Sequence, residues 1–171
     1  MSAVRPEPWL RGPIDGVDPL LMPAAHALQQ SREDIASAAA GLTVSQLWRR
    51  LPGGAASVGF HLRHVAGSID RLLTYAAGRQ LDDEQMRTLG EESLPGEPPA
   101  TAVILVNEAQ QAIDHAIEVI RSTPSAQLTE RRTVGRAMRP STLGGLLFHL
   151  AEHTQRHTGQ IVTSSRVVAA S

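Results

Sequence analysis

The sequence has no cysteine, so disulfides, thiolate metal sites and a cysteine nucleophile are excluded together, and any metal must be held by nitrogen and oxygen. It also lacks a charge of one sign. Sixteen basic residues stand against seventeen acidic ones, for a formal net charge of -1. Such a chain has no general field to attract nucleic acid or anionic lipid, and we expect neither a nucleic-acid nor a membrane partner. No apolar run approaches the length of a membrane span, and Met1 to Pro13 has no apolar stretch of the kind a signal peptide needs. The expected location is the cytoplasm. No stretch alternates convincingly with period two, and no internal repeat of fixed period is apparent.

What the sequence does have is an ordinary globular balance, 42% hydrophobic and 19% charged over 171 residues, enough for one domain with a real core. Residues 1–16, with three prolines and two glycines, read as an N-terminal arm, and residues 17–171 as a single helical domain. Apolar residues recur at helical spacing from Asp18 to about Ala40, with Pro23 in the first turn. Thr43-Val44-Ser45-Gln46 reads as a capped short helix carrying Leu47 and Trp48 to the core. A second long helix is expected over Ser57 to Ala77, stopped by Gly78, with Phe60, Val65, Ile69, Leu72, Leu73 and Ala76 as its apolar positions. Residues 79–99 read as an exposed acidic loop with a short helix over Asp82 to Leu89. A third long helix spans about Ala100 to Arg121, broken by Pro124. After a locally basic segment (Arg131, Arg132, Arg136, Arg139), a fourth helix starts behind Pro140 with Ser141 or Thr142 as cap. Four long helices imply an all-α fold, a four-helix bundle.

Chemistry gathers on two of these helices. The last one carries His149, His153 and His157, three imidazoles spaced four residues apart and so on one face. The second long helix carries His61 and His64. Neutral imidazole is a good ligand for zinc, nickel, copper or iron, and an i, i+4 pair offers two nitrogens from one rigid element. A third ligand from the other helix would leave an open coordination position, the arrangement of catalytic zinc sites. The competing interpretation is that these histidines are core or interface residues satisfied by hydrogen bonds.

The segments Ser57-Val58-Gly59-Phe60-His61-Leu62-Arg63-His64 and Glu152-His153-Thr154-Gln155-Arg156-His157-Thr158-Gly159-Gln160-Ile161 resemble the DinB/YfiT-like family of metalloenzymes. The resemblance runs from about Asp34 to Arg166 and implies a four-helix bundle that dimerises. It also implies a metal ligand set of His64, His153 and His157, with His61 and His149 at less certain positions, and one divalent ion, zinc or nickel. Thr158 stands where many relatives have arginine. The activity implied is a metal-dependent transferase acting on a small-molecule thiol. The alternatives are a metal-dependent hydrolase with Glu152 as proton acceptor, and a non-catalytic helical dimerisation or binding module. Arg71 and Tyr75, on roughly the face of His64, are either pocket residues for an anionic substrate or a structural ion pair and a buried hydroxyl. The basic 131–139 segment is either a cover for the site or a solvated charge run.

Overall fold

The structure is a computed structural model and describes residues 5–170. Four long helices form the bundle: α1 (Met22–Ala39), α3 (Val58–Ala76), α5 (Ala102–Ser122) and α6 (Leu143–Ala169), with the short α2 (Val44–Trp48) and α4 (Asp83–Glu91) in the connections. The last helix, α6, packs between α1 and α3, α3 lies on α5, and α5 returns to α1. Packing order therefore differs from chain order.

Every α-helix but the first begins where a side chain satisfies an orphan backbone N–H. Ser57 accepts from Phe60 N, Thr101 from Ile104 N and Thr142 from Gly145 N. Thr43 with Gln46 and Asp82 with Gln85 form full capping boxes on α2 and α4. Such caps contribute about 1 kcal/mol each. The first helix has no side-chain cap and begins at Met22, four residues later than expected, because Pro23 occupies the first turn where its missing N–H costs nothing. Apolar residues at helical spacing, Leu28 and Ile35 on α1, Leu62 and Ile69 on α3, Leu105, Ile113 and Ile120 on α5, and Leu147, Leu150 and Ile161 on α6, are wholly buried in one core. Phe60, expected among the core positions, is only half-buried, and Val58 and Leu62 take the core face instead.

Two further expectations are corrected. Residues 131–142 hold an antiparallel hairpin, β1 (Arg131–Val134) with β2 (Arg139–Thr142), registered Arg132 to Ser141 and Thr133 to Pro140. It has no hydrophobic alternation because it is a two-stranded ribbon outside the core, and its Pro140 is tolerated only because such a strand is an edge. The 79–99 segment is likewise not all exposed: Glu92, just past α4, is 1% exposed, as buried as the core leucines. The segment ahead of α1 lies against the bundle, with Pro8 buried and Arg11 paired to Glu33 of α1 through two hydrogen bonds of 2.5 and 2.6 Å.

Candidate metal centre

Helices α3 and α6 run antiparallel, so ascending histidines on one meet descending histidines on the other. His64 Nε2 lies 3.0 Å from His153 Nε2, and His61 Nδ1 lies 3.0 Å from His157 Nδ1. The His157 ring centroid is 4.4 Å from that of His64 and 4.6 Å from that of His153. His64, His153 and His157 each offer one ligand nitrogen, and these three atoms fall within 4.8 Å of one another. All three residues are half-buried, so solvent reaches the cluster. Phe60 stacks on His64 at 5.3 Å between centroids and 18° between planes, an apolar wall beside the site.

The second nitrogen of each ring decides what the first can do. His64 donates from Nδ1 to Glu92 Oε2 at 2.6 Å, so that Nε2 is the nitrogen it turns towards His153. Glu92 Oε1 in turn sits 2.8 Å from Arg71 Nη1. His153 keeps Nδ1 buried with no hydrogen-bond partner, so the polar contact of this ring runs through Nε2. His157 spends Nδ1 on the buried His61 and has Nε2 to offer.

Proton affinity follows from the crowding. Burial, and then the neighbouring His64, hold His61 below the usual imidazole range. The same two causes, in the same order, lower His153, with smaller contributions from His149 and Arg156. His157 is pushed down to about 3 by burial and then by His64, His153, His61 and Arg156. These three rings are therefore neutral near pH 7, the protonation state a metal requires.

The structure thus brings His64, His153 and His157 together and leaves the other candidates outside that group. His61 stands behind His157. His149 is half-exposed at the rim, its centroid 5.5 Å from that of His153, and it shares Glu152 with Arg156. Arg71 is engaged in the buried ion pair with Glu92. Tyr75 lines a separate cavity of about 650 Å³ with Met86, Leu89 and the hairpin tip at Arg136 and Met138. The basic segment does not cover the histidines. Arg132 bonds Ala76 O, twelve residues along α3 from His64 and therefore about 18 Å from it along the helix. Thr158 turns its hydroxyl onto Thr154 O at 2.8 Å. Sequence reasoning missed Glu92 altogether, for it sits in an acidic segment with no spacing to mark it.

A family model described as the DinB superfamily matches residues 27–161. Among solved structures, YfiT from Bacillus subtilis, described as a probable metal-dependent hydrolase with an unusual four-helix bundle topology, superposes with a TM-score of 0.66 at 16% identity, covering 92% of this chain and 93% of its own. A DinB-like protein from Bacillus cereus superposes with a TM-score of 0.60 at 17% identity, covering 84% of this chain and 91% of its own. No curated protein sequence matches.

Proposed function

The chain belongs to the DinB superfamily, and from that premise we propose that His64, His153 and His157 hold one divalent metal ion, zinc or nickel, in a transferase acting on a low-molecular-weight thiol. The observation that carries this reading is the triad itself, three nitrogens within 4.8 Å contributed by two packed helices and open to solvent. Two nitrogens bound to one tetrahedral ion stand about 3.3 Å apart, and the Nε2 atoms of His64 and His153 already lie 3.0 Å apart. A set of three imidazoles fits a borderline first-row ion and leaves a coordination position for an exchangeable ligand.

When bound, such an ion acts as a Lewis acid that favours the thiolate form of a ligand thiol at neutral pH. The protein's own groups hold the rings in place, and Phe60 gives the approach an apolar side. Both carboxylates beside the cluster are already engaged, Glu92 with His64 and Arg71, Glu152 with His149 and Arg156. A thiol, far more acidic than water, would release its proton to solvent on ligation and attack as the thiolate, whereas water attacks best with a protein group to take its proton, and this supports the thiol reading.

The description of the Bacillus subtilis relative supports a second reading, a metal-dependent hydrolase in which Glu152 gives up Arg156 to take the proton. A homodimer, implied by the family resemblance, and the cytoplasmic location expected from the sequence belong to the same proposal. Among the described residues no helix is long and apolar enough to cross a membrane. The test is to load the protein with Co(II) and add a panel of small thiols. A sulfur-to-cobalt charge-transfer band that saturates with thiol is the expected result, and an unchanged spectrum across the panel would reject the thiol reading in favour of the hydrolase.

A further inference from the structure

Arg63, Gly67 and Arg71 are spaced four residues apart on α3 and form one stripe along it. All three meet the short segment that follows α4. Arg63 donates to the carbonyl of Leu94 and, at 3.4 Å, to that of Pro95, while its guanidinium lies 4.9 Å over the Trp48 ring. Arg71 pairs with Glu92 at 2.8 Å. Between them, a Cβ on Gly67 would overlap Glu92 Oε1 and stand 2.8 Å from Arg71 Nη1.

Gly67 lies inside a regular helix, so no left-handed backbone calls for glycine there. A helix-interior glycine costs about 0.5–1 kcal/mol relative to alanine. Space for the Glu92 carboxylate accounts for it. Burying that carboxylate is itself costly unless it is paired; Oε2 accepts from His64 Nδ1, and Oε1 forms an ion pair with Arg71 without hydrogen-bond geometry.

We infer that Glu92 is a positioning residue for the histidine triad: by accepting the Nδ1–H of His64 it fixes the ring and the tautomer whose Nε2 lone pair faces His153, and the Arg63, Gly67, Arg71 stripe seats it there. The inference rests on the reading of His64 as a metal ligand. Arg71 neutralises Glu92, so the carboxylate orients His64 without adding net negative charge beside the ion, which stays attractive to an anionic ligand such as a thiolate.

Two variants of the full chain test this. Gly67→Ala keeps every ionisable group and replaces glycine by a better helix former while closing the niche. The double variant Glu92→Leu with Arg71→Met removes both members of the buried pair, which spares the fold an uncompensated charge. The first readout, on metal-free protein, is the His64 tautomer from two-bond nitrogen–proton NMR correlations. The second is Zn(II) affinity by competition with a chromophoric chelator. Wild type should carry the proton on Nδ1. Both variants should lose that preference and bind Zn(II) about 10–100-fold more weakly, with helical circular dichroism retained. An Nδ1–H tautomer that persists in both variants, or unchanged Zn(II) affinity once the tautomer has switched, would overturn the inference. A wild type that binds no Zn(II) while its tautomer still depends on Gly67 would instead overturn the metal reading alone.

Discussion

Two carboxylates near the histidines each stand between a histidine and an arginine, in different surroundings. Glu92 is shared by His64 and Arg71, and Glu152 is shared by His149 and Arg156. The side chain of Glu92 is 2% exposed and that of Glu152 is 38% exposed. Water screens the second set, so its Coulomb attraction is largely spent against solvation and side-chain entropy. The first set is held where solvent cannot replace a lost partner. The partner types are the same, yet only the buried carboxylate holds a histidine of the triad by its Nδ1.

The largest effect should come from breaking the buried set on one side only. Glu92→Ala leaves Arg71 buried and unpaired, and we expect a loss of about 3–5 kcal/mol in urea unfolding, the range for removing one member of a buried ion pair. A loss comparable to that of an ordinary surface substitution would show that the two carboxylates are not so different.

Acid should act next, through the rings. His157 is held at about 3 against an ordinary value of 6.5, so between those two values the unfolded chain binds more protons than the folded one. Stability is therefore full above about pH 6.5 and falls as the pH drops towards 3. His61 and His153, also lowered, act with the same sign. Thermal melts of metal-free protein should give a lower midpoint at about pH 5 than at about pH 7.5, and equal midpoints would contradict the burial of these rings.

The smallest effect belongs to the exposed set. Glu152→Ala should leave both the unfolding midpoint and the Zn(II) affinity unchanged within error, since its partners are solvated. A marked loss of metal affinity, measured by chelator competition, would move Glu152 into the site and strengthen the hydrolase reading.

The same contrast explains what could be read from sequence. Helices α3, α5 and α6 declare themselves through caps and a 3.6-residue period, and the His-x-x-x-His spacing on α6 places two imidazoles on one face with no knowledge of the fold. The match of His64 to that pair came from the family resemblance, and the antiparallel packing of α3 on α6 brings the three together. Glu92 carries no such mark: it lies 28 residues from His64, and its meaning arises only when the end of α4 docks on the Gly67 niche. Arg71 was legible as lying on the right face, but its choice between a substrate and an ion pair depended on that unseen partner. The hairpin was hidden for a different reason, since Arg131 to Thr142 buries too little to need alternation and contains a proline that argues against a strand.

The most direct test of the account is metal content by elemental analysis of untagged protein, comparing wild type with His64→Ala and His153→Ala after identical purification. We predict about one zinc or nickel per wild-type chain, from a triad that leaves one coordination position open, and its loss from both variants without loss of helicity. Wild-type protein that holds no metal even after reloading, or variants that keep it, would contradict the assignment of the triad.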